Sequence, residues 1–323
     1  METFVRCGGG LTVFQRGSSR PPSHMSALEV GPVRVVTRPG FPPVEAHSAD
    51  HVLWRRHWAE PDRLVIEFVD VADVEVDRQG VVTFDRHLTS QTEQHLLLDH
   101  VLPLYLANRG ALVVHGGVVG RRGRGVVIVG SSGAGKSTLT AYCWQNGWTI
   151  GGDDGAVLWA GPPATVEPTY STIRLLPDAV ELLELNPAAA TTVLHKYRVA
   201  DDGTEGLAQR MFDLAAIVVI EPGVTSGEVR WEELRGIRAH AELFGSTFHS
   251  DFSRDRHLPE VVDAIAGIID QVPVARVEVP RGLVGLQGVE QFLRELVESS
   301  EGNSEAKPKR PLMSPHSTGC DLP

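Results

Sequence analysis

The chain has 323 residues, of which 42% are hydrophobic and 22% charged, as expected for a globular protein with one large or two medium domains. A formal net charge of -11 argues against nonspecific nucleic-acid binding. The sequence contains neither a signal-peptide core nor an apolar run of the ~20 residues that cross a bilayer. Its three scattered cysteines favour a reducing compartment, so we expect a cytoplasmic protein.

Short β-branched runs broken by Gly, Pro and Asp predict a β-rich N-terminal domain over residues 1–95. The next stretch, "TSQTEQHLLLDHVLPLYLANRG", predicts a helix that Thr89 or Ser90 caps and Gly110 ends. This helix opens a second predicted domain, residues 96–298. The polar, proline-broken residues 299–323 are expected to be a disordered tail.

Within the second domain, the runs "ALVVHGGVV" and "GVVIVG" predict two strands joined into a hairpin by "GRRGRG", whose arginines we expect to face solvent. A helix "KSTLTAYCWQNG" and a short strand "WTIGG" follow. Further on, a helix is predicted to start near Pro177, and "LAAIVVIEPG" reads as a buried strand that ends at Glu221. Helices are predicted from "WEELRGIRAHAELFGSTF", "LPEVVDAIAGIIDQVP" and "LQGVEQFLRELVES", and a strand from "VARVEVP".

Residues 130–137 match the phosphate-loop pattern G-x4-G-K-[ST], and they stand between a predicted strand and a predicted helix. In this setting, glycines let backbone N–H groups converge on phosphate oxygens at a helix N-terminus. Lys136 is expected to reach the β- and γ-phosphates and Ser137 to bind Mg²⁺. The predicted nucleotide-binding residues are Gly130, Ser131, Ser132, Gly133, Ala134, Gly135, Lys136, Ser137 and Thr138.

Two adjacent carboxylates, Asp153 and Asp154, follow the short strand "WTIGG". Neighbouring side chains on a strand point to opposite sides, so one carboxylate is placed to face a substrate hydroxyl and the other a metal. A kinase needs both functions. The same letters also fit a solvated Asp-Asp-Gly turn.

Acidic and basic residues elsewhere add weaker candidates. Glu221 stands where a strand-end acid would bind metal, but it also fits a plain surface residue. Arg174 and Lys196 lie beyond the aspartate pair, where the sequence favours surface charges over phosphate ligands.

The ordered segments "VVHGGVV", "GVVIVGSSGAGKST" and "GWTIGGDD" resemble the kinase core of HPr kinase/phosphorylase over roughly residues 95–290. The resemblance implies an α/β P-loop kinase core of the HPr-kinase type. It also implies His115 near the phosphates, Asp153 as the base toward a serine hydroxyl and Asp154 as its acidic neighbour. It is closest to HPr-kinase-like proteins that lack the bacterial regulator's N-terminal domain, including lasso peptide kinases.

The chain departs from that family in two ways. The glycine-rich segment that the family uses for phosphorolysis is matched only weakly, and late in the chain, by "EELRGIRAH". Phosphorylase activity is therefore not predicted. Residues 1–95 do not resemble the regulator's N-terminal domain either. HPr itself is therefore not the expected target.

The favoured hypothesis is a kinase that uses ATP and Mg²⁺ to phosphorylate a serine of a peptide or protein, with no nucleic-acid or membrane partner. Asp153 accepts the proton, Lys136 stabilises charge on the phosphoryl oxygens, and Ser137 with Asp154 or Glu221 holds Mg²⁺. Free serine or a polyol stays open as the acceptor, and so does self-association. A nucleotide-binding switch or transport ATPase is the third reading, although the sequence has no Leu-Ser-Gly-Gly-Gln signature.

Overall fold

The structure is a computed structural model, and it describes residues 34–37, 54–59, 63–68, 71–77, 80–85, 96–169, 173–186, 191–193, 196–200, 211–223, 229–248 and 257–299. The predicted helix caps Thr89 and Ser90 lie outside these residues, and so do residues 300–323 of the predicted tail. Its first residue, Ser299, is the last residue of a helix.

The N-terminal region forms a five-stranded sheet of order β1-β5-β4-β3-β2. Alternate residues of three of its strands are buried, for example Leu64, Ile66 and Phe68, because one face packs on a core. The β-rich N-terminal region is thereby confirmed. Its strands are β1 (Arg34–Thr37), β2 (Trp54–Ala59), β3 (Arg63–Phe68), β4 (Ala72–Asp77) and β5 (Val81–Phe84).

A short π-helical turn, Leu97–Val101, runs directly into helix α1, Leu102–Asn108. The described part of the predicted helix is therefore confirmed, and it ends before Gly110, whose φ is 87°. Apolar side chains of the turn and of α1 share one buried cluster with the N-terminal sheet and with Val113 and Val157 of the central sheet. The cluster crosses the predicted domain boundary at residue 95, and that boundary stays a prediction.

The central sheet has nine strands, in the order β6-β10-β11-β15-β8-β7-β9, with β17 beside β15 and β16 beside β17. A separate sheet of order β12-β14-β13 lies off it. The strands are β6 (Leu112–Val114), β7 (Gly117–Arg121), β8 (Arg124–Val129), β9 (Thr149–Gly152), β10 (Ala156–Trp159), β11 (Thr165–Pro168), β12 (Ile173–Leu175), β13 (Thr191–Val193), β14 (Lys196–Ala200), β15 (Phe212–Pro222), β16 (Arg230–Leu234) and β17 (Val274–Val279).

Helices cover both faces of the central sheet. Val126 and Ile128 of β8 pack with helices α2 (Lys136–Gln145) and α6 (Leu283–Ser299). Val127 and Val129 pack on the other face with α4 (Ile237–Gly245) and α5 (Leu258–Ile269). A short helix, α3 (Pro177–Leu182), follows β12 and begins at the predicted proline. The predicted α/β class is confirmed, since two layers of helices enclose a mixed sheet.

Two predicted elements are wrong in extent. The run "ALVVHGGVV" is two strands, because β6 pairs with β10 whereas β7 pairs with β8 and β9. The run "WEELRGIRAH" begins as strand β16 and becomes helical only from Ile237, since residues 230–234 pair with β17. In both places a distant strand decides the local structure.

Candidate active site

The phosphate-loop residues connect the end of β8 to the start of α2, as the motif requires. Gly133 and Gly135 have φ of 78° and 96°, a conformation that side chains rarely adopt. At Gly130 an added Cβ would lie 2.5 Å from the carbonyl oxygen of Ile220. The loop geometry therefore requires glycine at these positions.

Lys136 is the first residue of α2, and only 7% of it is exposed. Its Nζ donates hydrogen bonds to the carbonyl oxygens of Gly130 (2.9 Å) and Ser131 (3.1 Å). Burial is the main cause that lowers the pKa of the Lys136 ammonium. Around it the loop is open: Ser131, Ser132 and Gly133 are exposed, Ala134 is buried, and Gly135, Ser137 and Thr138 are half-buried.

Sheet topology brings the two predicted halves of the site to one edge. Strands β8 and β9 are both antiparallel to β7, so they run in the same direction on either side of it. The phosphate loop follows β8, Asp153 follows β9, and His115 precedes β7. Pairing of Gly117 with Ile128 and of Val118 with Gly152 sets these three segments side by side.

Asp153 is almost fully enclosed, with 1% of it exposed. Its Oδ2 accepts a hydrogen bond from the backbone N–H of Arg174 at 2.9 Å. Its Oδ1 is buried and has no hydrogen bond within the described part of the chain. Burial, with the charge of Asp154 next, raises the pKa of the Asp153 carboxyl well above its usual range. A solvated turn is therefore the wrong interpretation of this aspartate.

Asp154 lies at the same edge and contacts a different part of Arg174. One carboxylate oxygen, Oδ2, accepts a hydrogen bond from the guanidinium Nη2 of Arg174. Arg174 is 5% exposed, which corrects the prediction of a surface charge. The same Nη2 also forms an ion pair with Asp99 of the π-helical turn, which is 8% exposed.

Sequence reasoning missed Asp99 and misjudged Arg174. The available signal was weak: a lone acid in the apolar run "LLLDHVLPL" and a lone base in "TIRLLP". Charged residues are seldom buried unless they are paired. A pattern that buries one acid and one base in separate elements hints at a pair, but it does not say which partners meet.

His115 sits between β6 and β7 rather than inside one strand. Its Nδ1 lies 3.0 Å from the backbone oxygen of Asp154. Because a carbonyl only accepts, Nδ1 carries the proton and the neutral ring leaves Nε2 as an acceptor. Burial is the largest cause that lowers the pKa of His115. The ring also meets Phe248 edge-on, at 5.8 Å between centroids.

Glu221 ends β15, which pairs with the phosphate-loop strand β8. Its side chain is 50% exposed and forms an ion pair with Arg276 Nε at 3.1 Å. Arg276 belongs to β17, on the opposite side of β15 from β8. Glu221 is therefore paired on the β17 side of β15, whereas Ser137 and Asp154 lie on the β8 and β9 side. A metal-binding role for Glu221 stays a prediction.

Among the described residues, no group of three or more His, Cys, Asp or Glu forms a preassembled metal cluster. Mg²⁺ in kinases is typically held by one or two carboxylates together with substrate phosphates, so a full protein cage is not required. One partly exposed carboxylate, Asp154, and one hydroxyl, Ser137, near the phosphate loop fit that requirement.

The fold and site define an α/β protein in which a loop that matches the phosphate-loop pattern and a buried aspartate lie at one sheet edge. No protein-family model matches the chain, and no curated protein matches it. Among solved structures, the HPr(Ser) kinase/phosphatase from Coxiella burnetii is similar with a TM-score of 0.32 and 13% identity, covering 59% of this chain and 99% of that chain. A likeness this slight assigns no activity. In the described residues, none of the helices combines the length and apolar character of a membrane span.

Proposed function

We propose that the protein is a kinase that uses ATP and Mg²⁺ to phosphorylate a hydroxyl group, and that the hydroxyl belongs to a serine of a peptide or protein. One observation supports this proposal above the others. Asp153, a buried carboxylate with an oxygen that has no partner among the described residues, stands at the same sheet edge as the phosphate loop.

The loop fits a nucleotide phosphate by its own geometry. Gly130, Gly133 and Gly135 hold a backbone that places N–H groups at the N-terminus of α2, where the helix dipole favours an anion. The Lys136 ammonium has three donors, and two of them bind loop carbonyls. ATP with Mg²⁺ supplies the phosphoryl group when it is bound there.

Asp153 is the proposed general base. Its Oδ2 is held by Arg174, so Oδ1 is the oxygen that takes the proton from the acceptor hydroxyl. A base works best when its pKa lies near the working pH, and burial moves the pKa of Asp153 upward in that direction.

Lys136 and His115 are the proposed cationic partners of the phosphates. The amine of Lys136 stabilises negative charge on the phosphoryl oxygens. The neutral ring of His115 is fixed by its Nδ1–H bond to the Asp154 carbonyl. Phosphate charge beside the ring favours the imidazolium, in which Nε2 becomes a second donor.

Ser137 and Asp154 are the proposed magnesium ligands. Hydroxyl and carboxylate oxygens are the donors that Mg²⁺ prefers. Asp154 is tethered by Arg174, so its carboxylate is directed without a large loss of side-chain freedom on binding. Glu221 is the weaker alternative because Arg276 already neutralises it.

The test of the proposal is the destination of a labelled γ-phosphate. The protein is incubated with γ-labelled ATP, Mg²⁺ and a panel of serine peptides, beside free serine and polyols. Label on peptide serine is expected. Label on a small alcohol keeps the kinase and changes the acceptor, whereas rapid ATP hydrolysis without a labelled acceptor contradicts the proposal.

A matched pair of variants ties the activity to the site. Asp153→Asn removes the proposed base, and Asp263→Asn makes the same chemical change at an exposed position of α5. Transfer is expected to fall only in the first. Equal transfer in the two variants would show that the phosphate moves elsewhere on the protein.

A further inference from the structure

We propose that Asp99 and Arg174 are positioning residues of the active site, and that through them the packing of the N-terminal sheet sets the orientation of Asp153 and Asp154. This inference rests on the proposed kinase function. It assigns a role to the N-terminal region that neither the phosphate loop nor the aspartate pair explains.

Arg174 joins three carboxylates that come from two separate parts of the chain, the adjacent pair Asp153 and Asp154 and the distant Asp99. Its backbone N–H binds Asp153 Oδ2 at 2.9 Å, and its Nη2 contacts both Asp154 and Asp99. Strand β12 therefore holds Asp153 through the main chain and Asp154 through the side chain. A shift of β12 moves both aspartates together.

Asp99 is a second carboxylate partner of the guanidinium. Since the same Nη2 meets Asp99 and Asp154, loss of Asp99 removes one of the contacts that fix the guanidinium beside Asp154.

Because Asp99 and Arg174 are both buried, stabilisation of the fold alone is a weak explanation for their ion pair. Arg174 is 5% exposed and Asp99 8%. Removing charges from water costs so much that a buried ion pair seldom stabilises more than an apolar replacement of the same volume. What such a pair does supply is a fixed geometry, and here that geometry belongs to the proposed base and metal ligand.

The π-helical turn ties Asp99 to the N-terminal sheet. π-Helical turns are rare in proteins overall, and those that do occur are often found at functional sites. Neighbours of Asp99 in the turn, Leu97, Leu98 and Val101, are buried in the cluster that includes the N-terminal strands. The ring of His100 lies 5.6 Å from that of Phe68 on β3. The position of Asp99 is thus set by contacts with the sheet.

The experiment compares the full-length wild type with Asp99→Asn, and with Asp263→Asn as an exposed control. The probe is total label transferred from ATP to a fixed panel of serine peptides, with KM for ATP and the melting temperature measured in parallel. Loss of an outer residue that orients an active-site ligand typically lowers activity by about 10- to 100-fold. We expect kcat to fall by that factor, with KM for ATP unchanged.

A second pair of variants separates positioning from folding. Asp99→Glu keeps the charge and is expected to recover part of kcat. Arg174→Gln is expected to lower kcat as well, and adding Asp99→Asn to it should change little, since both act through the same contacts. If Asp99→Asn does not fold, Asp99→Glu and Arg174→Gln make the same comparison.

Three results overturn the inference. These are an Asp99→Asn variant as active as Asp263→Asn, losses that simply multiply in the double variant, and a loss of kcat that only follows a loss of ATP binding. A wild type that transfers no label in the same assay overturns the proposed function itself. The two failures are therefore distinguishable.

Discussion

The two halves of the proposed site are built in different ways. The phosphate-binding half comes from one contiguous stretch, residues 130–138, whose strand, loop and helix follow each other directly. The carboxylate half combines a turn at Asp99, the pair Asp153 and Asp154, and strand β12 at Arg174. The first half is a local structure that a motif describes, whereas the second exists only when distant segments pack together.

This difference has an energetic side. The phosphate loop keeps its conformation because glycines a few residues apart adopt positive φ without strain. The described hydrogen bonds of Lys136 go to carbonyl oxygens of the same loop. The carboxylate half places several charges in a buried space, where each loses hydration and depends on its neighbours. We therefore expect substitutions in the first half to act on activity alone, and those in the second to act on activity and stability together.

The largest expected effect belongs to the local half. Lys136→Ala should lower phosphoryl transfer by on the order of 10³-fold, the scale seen when a preorganised donor to developing charge is removed. The melting temperature should change little, since the hydrogen bonds that Lys136 makes within the described residues go to its own loop. Labelled transfer and a thermal melt check both statements. Arg122→Ala, in the exposed hairpin turn, is the control. Wild-type turnover in Lys136→Ala would place the active site elsewhere.

Next comes the proposed base in the carboxylate half. Asp153→Asn should lower kcat by ~10²-fold or more while ATP affinity stays near that of the wild type. Asp154→Ala should instead raise the Mg²⁺ concentration needed for half-maximal activity. Kinetics at several Mg²⁺ concentrations, together with ATP titration, separate the two roles. An equal loss of ATP binding in both variants would contradict that separation.

A third test concerns the packing that brings the halves together. An added Cβ at Gly117 would lie 2.4 Å from Oγ1 of the buried Thr140 on α2. Gly117→Ala should therefore lower the free energy of unfolding by about 1–3 kcal/mol, as overpacking does. Gly245→Ala is the matched control, because nothing lies within 4 Å of its added Cβ. Similar denaturant midpoints in the two variants would show that this contact relaxes freely.

The smallest effect is a dependence of stability on pH in the carboxylate half. The pKa of Asp153 is raised in the folded protein, so the folded state binds more protons than the unfolded state. Its contribution to stability is present below the unfolded pKa, and it is lost as pH rises through the folded pKa. The slope in that window is about 1.4 kcal/mol per pH unit for one group.

Denaturant unfolding of the wild type and of Asp153→Asn across that pH range measures the contribution. The difference in free energy of unfolding between the wild type and Asp153→Asn should be small at acid pH and should increase as pH rises. Parallel curves would mean that Asp153 titrates in the folded protein as it does in the unfolded chain.

Several elements follow from local sequence alone. The hairpin of β7 and β8 turns through Arg122 and Gly123, whose φ values of 52° and 78° suit the basic Gly-rich turn that the sequence shows. Helix α2 ends at Gln145, just before Gly147, whose φ of 83° makes it a natural stop. In each case the residues that determine the structure are a few positions apart.

Other elements depend on distant partners. The sequence patterns do not indicate β10, β11, β13 or β14, because strands of three to five residues are too short to show a clear periodicity. Strand β16 carries a helix-like pattern, yet it pairs with β17 across residues 230–234. Gly151 packs closely against Val118 of β7, where an added Cβ would lie 2.7 Å away, and this contact also depends on a partner distant in the sequence.

The amino-acid sequence by itself determined the phosphate loop, its flanking strand and helix, the α/β class and the identity of the two aspartates. The loop and its flanking strand and helix rest on interactions within one hairpin or one helix, so a local pattern is sufficient for them, and the order of such elements along the chain indicates the α/β class. Only the tertiary structure decided that Asp153 is buried, that Arg174 lies between Asp99 and Asp154, and that the N-terminal sheet packs on the turn carrying Asp99. Burial and charge pairing depend on which distant segments meet, and the packing of the whole chain sets those contacts.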